Sequence, residues 1–418
     1  MKVYLETYGC SANQSDSEIM LGLLKERGYQ IVNSPTKSDV NILNTCIVKS
    51  PTGNRMKYRI KTLKKIGKPL IVAGCMSKAE KEVVEKLSPK SSLVGPNSIH
   101  VIPETVKRTL NGEKIVSIDD IKKPKLCLPK IRKNQVIDIV QTSTGCLGNC
   151  YYCQVKFAKG ELFSYPPELI VKQIKVSLKE RVKEIWLTSQ DMGAYGKDIG
   201  KNLPELLEKV VKIKGKFFVR IGMMNPNHVK KNLEELVEVY QSEKIFKFLH
   251  IPIQSGSNRI LRKMNRYYKV ENFKEIVRAF QKEFPRITLS TDVIAGYPGE
   301  TEDDFKQTIR LLERVKPDVV NISKYWPRPR TEASEMEQID RKTINQRTKS
   351  LSKLVKKFQK EKNKQWLGWE GEVLIDEKGS QGMIGRNYAY KSVVTDGKLG
   401  EFKQLRIRNS YTNYLKSY

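Results

Sequence analysis

No stretch of this chain approaches the roughly 20 consecutive apolar residues that a membrane-spanning helix needs. The longest clear run, Leu70-Ile-Val-Ala-Gly-Cys-Met76, is only strand-sized. An apolar secretion signal is missing as well, because Glu6 falls where such a segment would have to begin. Both absences point to a cytoplasmic protein. Acid is also scarce: 46 Asp and Glu face 77 Lys and Arg, leaving a formal charge of +31. A field of that sign favours polyanions, RNA or DNA above all. A closed set of internal disulfides is the last thing lacking, since seven cysteines cannot all pair. In a reducing compartment those thiols are expected to bind metal or to do chemistry.

What is present alternates. Strand-like runs at 2–8, 39–44 and 69–74 are separated by helical patterns at 15–26, 51–65 and 78–87. Ser15 with Glu18 has capping-box spacing, and Pro51 suits a first helical turn. This order predicts an N-terminal α/β domain, residues 1–110, built on a parallel sheet. Residues 111–134 are rich in Lys and Pro and read as a linker. Alternation then resumes, with strands expected at 136–142, 184–188, 217–221, 246–251, 288–294 and 318–323. Six strands in that order fit a partial β/α barrel over 135–362, with a doubly wound sheet as the other possibility. After a basic helical stretch, 342–364, four short strands are expected at 370–376, 381–387, 390–395 and 401–407. Turns at Lys378-Gly379 and Asp396-Gly397 join them into a small C-terminal β-barrel, 363–418.

The strongest local signal is Cys146-Leu-Gly-Asn-Cys150-Tyr-Tyr-Cys153, three thiols within eight residues. A structural zinc site would want a fourth ligand, and none is nearby in the sequence. Three cysteines on an iron–sulfur cluster leave one iron open for an outside ligand. The motif also follows the first barrel strand, on the edge where such barrels place chemistry. Cys10, Cys46 and Cys75 each follow a strand of the N-terminal sheet. A parallel sheet would gather them beyond its carboxyl edge as a second three-cysteine site. Cys127, in the basic linker, is left over.

With these residues in view the sequence resembles the radical-SAM methylthiotransferases along essentially its whole length. The Cys146/Cys150/Cys153 spacing, with Tyr152 before the last cysteine, matches the family's radical-SAM signature. Cys10, Cys46 and Cys75 match its N-terminal cluster ligands. His250-Ile-Pro-Ile-Gln-Ser-Gly-Ser257, Met264-Asn-Arg266 and Gly296-Tyr-Pro-Gly-Glu-Thr301 resemble its barrel motifs, and the C-terminal strands resemble a TRAM domain. Gly9-Cys-Ser-Ala-Asn-Gln14 and the stretch 44–55 are similar to the archaeal and eukaryotic branch, which acts on N6-threonylcarbamoyladenosine beside the tRNA anticodon. Ala158-Lys159-Gly160 departs from the family, many of whose members carry Arg before the glycine.

The resemblance implies two [4Fe–4S] clusters and S-adenosylmethionine. One cluster would cleave S-adenosylmethionine to a radical that activates C2 of the adenine, and the N-terminal cluster would supply sulfur. A tRNA, an electron donor and a sulfur source are the partners implied. No catalytic side chain is identified beyond the cluster ligands, because the hard chemistry belongs to the cofactors. Gln190, Arg220 and Gln254 are expected to touch S-adenosylmethionine or substrate, with Asp191, His250 and Asp292 as further polar candidates. Arg220, Lys156 and Lys159 are the cations available for the threonylcarbamoyl carboxylate. His100 and His228 read as structural, and Met223-Met224 as packing. Residues 341–418 hold 18 Lys and Arg against 7 Asp and Glu. Arg386 and Asn387 are the RNA contacts expected there, with at least half of Trp366, Trp369, Tyr388, Tyr390 and Phe402 in the barrel core. Isopentenyladenosine in tRNA and a ribosomal-protein aspartate are the family's other substrates. Outside the family, the alternatives are a non-catalytic iron–sulfur electron carrier and a tRNA-binding protein without catalysis.

Overall fold

A computed structural model describes residues 1–47, 50–380 and 382–418. Val48, Lys49 and Gln381, each part of a stretch singled out above, lie outside the described residues.

Strands β1 (Lys2–Thr7), β2 (Gln30–Ile31), β3 (Val40–Thr45), β4 (Leu70–Gly74), β5 (Ser92–Val94) and β6 (Val116–Ser117) form one parallel sheet in the order β2-β1-β3-β4-β5-β6. Neighbouring residues of a strand point to opposite faces, so a sheet covered on both sides demands unbroken apolar runs. Thus Ile42 and Ile71 pack under helices α1 (Ser11–Glu26) and α5 (Ile102–Leu110). Leu43 and Val72, one residue on, pack under α2 (Ser50–Lys65), α3 (Cys75–Ala79) and α4 (Lys81–Leu87). The expected linker is only partly one. Val116–Ser117 joins the sheet edge beside β5, and Lys125 and Leu126 are buried.

The barrel is a half-barrel of six parallel strands in two runs. The first is β7 (Ile137–Gln141), followed by a short antiparallel pair β8 (Ser143–Thr144) and β9 (Phe163–Ser164), then β10 (Glu184–Thr188) and β11 (Phe218–Ile221). The second is β12 (Phe248–His250), β13 (Thr288–Ala295) and β14 (Val319–Lys324). A lone bridge from Val219 to Ile245 spans the gap between β11 and β12. Helices on the outside bury Ile170, Leu206, Phe273, Phe280 and Leu312 against the strands in one continuous core.

The C-terminal domain is a curled six-stranded sheet rather than the four strands expected. Strands β15 (Glu370–Gly379), β16 (Gly382–Asn387), β17 (Ser392–Thr395), β18 (Phe402–Arg406), β19 (Asn409–Ser410) and β20 (Leu415–Lys416) run β18-β15-β16-β17-β20-β19. Its core holds Trp366, Val373, Ala389, Val393, Ile407 and Leu415. This domain sits on the amino-terminal ends of the barrel strands. Tyr390 stands 4.8 Å from the ring of Phe246 and 5.2 Å from that of Phe248, and Phe402 is 5.9 Å from Phe218. Lys391 pairs with Asp318 at 2.7 Å, and Asp376 meets Glu184 at the start of β10.

That packing corrects the expected RNA contacts. Asn387 is fully buried, its Oδ1 accepting the backbone N–H groups of Ala389 and Lys391 to hold the turn before β17. Arg386 is spent on Asp376 at 3.0 Å, on Glu377 and on Ser392. Neither side chain faces outward. The exposed cations lie elsewhere, at Arg406 and Arg408 and along the solvent side of the helix Arg341–Lys364.

Candidate metal centre

The Cys146 loop leaves the barrel just after β8. Gly145 turns it with φ +76, and a Cβ there would stand 1.8 Å from the carbonyl oxygen of Glu161, so only glycine fits. The loop is held from across the barrel by Tyr151 N–H donating to Met264 O (3.2 Å) and by the Asn265 amide donating to Asn149 O (2.7 Å). Each sulfur receives one donor. Gly148 N–H reaches Cys146 Sγ at 3.2 Å, Val155 N–H reaches Cys153 Sγ at 3.4 Å, and Arg266 Nη1 reaches Cys150 Sγ at 3.2 Å. Donors placed this way stabilise thiolates rather than thiols. Burial, and after it Asp191 and the sister cysteines, push Cys146 up to about 12. Burial and Cys150 push Cys153 up to about 11. Metal supplies the positive charge that deprotonates such a set, so the donor chemistry fits a thiolate-held cluster. Among the described residues, no three His, Cys, Asp or Glu groups stand close enough to share a single metal ion.

Beside the thiols, a cleft is bordered by Gly148, Cys150, Asn225, His228 and Arg266. In this region and along the strand ends, Ser189 Oγ, Gln190 Oε1, Arg220 Nε and Arg266 Nη2 are buried polar atoms without a hydrogen-bond partner among the described residues. Unpartnered groups of this kind are costly unless a ligand completes them, and they fit a polar cosubstrate. Gln190 and Arg220 are legible in the sequence as candidates, whereas Arg266 stands out only as the end of the Met264-Asn-Arg266 motif and Ser189 not at all. Gln254 has φ +65, a strained conformation for a non-glycine, and bridges to Val293. His250 and Asp292 pair with each other at 2.8 Å. Asp191 caps a short helix through Gly193 N–H and also accepts from Asn225 N–H, yet burial raises it to about 6. His228, buried against Lys197 and 3.6 Å from Asp191, is pulled down to about 4, a neutral side chain in keeping with its structural reading. Met224 is fully buried packing.

Of the three cations available to a carboxylate, Lys156 pairs with Glu161 at 3.0 Å and Lys159 is buried on Asp16. Arg220 lies among the rings of Trp186, Phe248 and Tyr390, each 5.0 to 5.2 Å away, with no carboxylate partner among the described residues.

The dispersed cysteines come together as the topology requires. Strands β1, β3 and β4 are adjacent and in register at Thr7–Asn44 and Thr45–Gly74. Cys10, Cys46 and Cys75 follow within three residues and meet at that edge. Gly9, at φ +116, has no room for a Cβ, which would fall 2.9 Å from Cys46 Cβ and 3.1 Å from its sulfur. Asn13 staples the edge, its amide donating to Tyr8 O and Thr45 O while Oδ1 accepts from Cys75 at 3.8 Å. Burial, then Cys10 and Cys46, push Cys75 up to about 12. Cys46 and Cys75 are buried and Cys10 is exposed.

The two sets face one another. Helix α6 (Val155–Lys159), which continues from Cys153, packs on α3, which begins at Cys75. Arg328 feels the thiols of both Cys46 and Cys153, and Arg330 donates to Ala79 O at the end of α3. Cys127 stands apart, exposed, with φ +56. Arg328 and Arg330 belong to no motif recognised in the sequence.

A family model described as "Uncharacterized protein family UPF0004" matches residues 2–95, and one for the Radical SAM superfamily matches residues 140–312. A protein of Pyrococcus horikoshii named "Probable threonylcarbamoyladenosine tRNA methylthiotransferase" is 42% identical over 99% of this chain and 98% of its own length. The Homo sapiens protein named "Threonylcarbamoyladenosine tRNA methylthiotransferase" is 36% identical over 99% of this chain and 73% of its own. Among solved structures, a radical S-adenosylmethionine methyltransferase of Kitasatospora setae, with cobalamin and a [4Fe-4S] cluster bound, superposes with a TM-score of 0.60. That match covers 80% of this chain and 77% of the other at 12% identity, a likeness of fold alone.

Proposed function

The chain belongs to the threonylcarbamoyladenosine tRNA methylthiotransferases, and from that premise we propose how its own residues carry out the reaction. The protein is a radical-SAM enzyme that converts N6-threonylcarbamoyladenosine in tRNA to its 2-methylthio derivative. Cys146, Cys150 and Cys153 would hold one [4Fe–4S] cluster, the one that would serve S-adenosylmethionine. Cys10, Cys46 and Cys75 would hold the second, the one that would supply sulfur. Bound together, these groups would supply one-electron cleavage of S-adenosylmethionine, sulfur for C2 of the adenine and the methyl group that caps it.

The polypeptide positions and shields them. Gly148, Val155 and Arg266 steady the thiolates through their N–H donors. Ser189, Gln190 and the strained Gln254 orient the cosubstrate. Arg220, a cation without a carboxylate partner among the described residues, takes the threonylcarbamoyl carboxylate. The domains are 1–110 for the methylthiotransferase fold, 111–134 as connector, 135–362 for the radical-SAM half-barrel and 363–418 as a TRAM-type RNA-binding sheet. The enzyme works in the cytoplasm with an electron donor and a sulfur source. No helix among the described residues is long and apolar enough to cross a membrane.

The observation that supports this reading is the packing of α6, which continues from Cys153, on α3, which begins at Cys75, so that both cysteine sets lie on one side of the same junction. The test offers anaerobically reconstituted enzyme matched tRNAs bearing either a threonylcarbamoyl or an isopentenyl group on the same adenosine. Digestion and mass spectrometry should show the methylthio product from the first tRNA only. Preferential conversion of the isopentenyl tRNA would overturn the substrate assignment and the role given to Arg220.

A further inference from the structure

A buried charge cluster lies where the N-terminal domain, the connector and the half-barrel meet. Asp16, on α1, is 1% exposed. Its Oδ1 accepts from Lys125 Nζ and from Gln141 Nε2, both at 2.8 Å, and its Oδ2 accepts from Lys159 Nζ at 3.2 Å. Lys125 and Lys159 are 4% and 2% exposed. Two buried ammonium groups thus share one carboxylate, and no other Asp or Glu among the described residues pairs with either.

Burying a cation without an anion is strongly unfavourable, so an uncompensated one marks a place where negative charge arrives. The missing anion has an evident position. Lys159 ends α6, which packs on α3 where that helix begins at Cys75, and its neighbour Ala158 shares a buried cluster with Cys75, while Asp16 lies on α1, the helix that follows Cys10. A [4Fe–4S] core held by three thiolates is a net anion, and it would form at those sulfurs. The lysines, moreover, come from outside the domain that carries the thiols. Lys159 ends the helix that continues from the other cysteine loop, and Asn97 of the N-terminal domain holds its backbone carbonyl at 2.9 Å.

We propose that Lys159 and Lys125, held by Asp16, are the fixed counter-charge of the N-terminal cluster, supplied by the half-barrel and connector. This rests on the reading that Cys10, Cys46 and Cys75 bind a cluster. A buried cation favours the more negative, reduced state of a neighbouring redox centre, so the pair raises that cluster's reduction potential. It also makes cluster occupancy depend on the two domains being docked. Lys159 is a positioning residue, acting on the cluster only through its charge.

The test is a redox titration of both clusters, followed by electron paramagnetic resonance, in reconstituted full-length wild type, Lys159→Met, Lys159→Arg and Lys125→Met. Iron and sulfide are counted in each sample first. In Lys159→Met the N-terminal cluster should move to a more negative potential by at least about 59 mV, a tenfold change in a one-electron equilibrium. The Cys146 cluster should stay in place, and Lys159→Arg should restore the wild-type potential. Lys125→Met should move the same cluster in the same direction. Two intact clusters with unmoved potentials in both Met variants would overturn the counter-charge alone. Wild type holding iron only at the Cys146 set would overturn the cluster reading, and the counter-charge with it. Loss of both clusters together in the two Met variants would mark a structural role and also overturn the proposal.

Discussion

At the scale of single residues, the two thiol sites differ in how they are held. The Cys146 set is local and its spacing is visible in the chain itself. The Cys10, Cys46 and Cys75 set exists only because three strands align, and its tightest constraint is Gly9. Gly9→Ala would place a Cβ against Cys46 and force a positive φ on alanine, a strain on the order of 1–3 kcal/mol. We expect this variant to lose the N-terminal cluster while keeping the one at Cys146, read as a matched drop in iron and sulfide with reductive S-adenosylmethionine cleavage retained. Full cluster content would show that the edge has room to spare. The sequence revealed the six cysteines because thiols are rare and their neighbours are turn residues. It did not reveal the role of Arg266, which reaches Cys150 from 116 positions away. Nor could it reveal that Lys159 is buried on Asp16, since that contact crosses a domain boundary.

Among the elements, strands covered on both faces were the easiest to read, because β4 is apolar without interruption and β3 carries Val40, Ile42 and Leu43. Two-residue strands such as β2 and β6 were illegible, as they carry too few side chains to show any period. Residues 111–134 look like a solvated linker by composition, yet Lys125 and Lys130 are drawn inward by Asp16 and Asp138. Arg386 and Asn387 mislead for a related reason: a polar residue in a short strand looks exposed until its partners in the fold are known. The helix Arg341–Lys364 instead offers a row of exposed cations. Its Lys349, Lys353, Lys356 and Lys360 are exposed, and a single acid, Glu361, interrupts its basic composition. Replacing these four lysines with serine should weaken tRNA binding and flatten its salt dependence. Every phosphate that the helix no longer neutralises should take about 0.7 to 0.9 off the slope of log affinity against log salt. An unchanged slope in a filter-binding series would move the RNA path off this helix.

For the molecule as a whole, the C-terminal sheet is less an appendage than the sequence suggests. Its junction with the barrel buries Glu184 against Asp376, with Trp186 and Arg386 alongside. Burial, then the Asp376 charge, raise Glu184 well above the ordinary carboxylate range, so the folded state keeps a proton that the unfolded chain releases. A raised pKa of this kind contributes stability that is complete at acid pH and fades as pH climbs through the folded value. Thermal unfolding from mildly acid to mildly alkaline solution should show the wild-type midpoint falling. Glu184→Gln, which keeps the bulk but sheds the titration, should hold its midpoint. Parallel curves for the two proteins would show that the junction is indifferent to this proton.

The same junction, with Tyr390 seated against Phe246 and Phe248, stoppers the barrel at the amino-terminal ends of its strands. An end closed in this way leaves the carboxyl ends of the strands and the unclosed side of the half-barrel as the approaches to its interior. On the proposed chemistry, the small cosubstrate and the nucleotide would share those approaches, so the C-terminal sheet would shape access to the site without touching either.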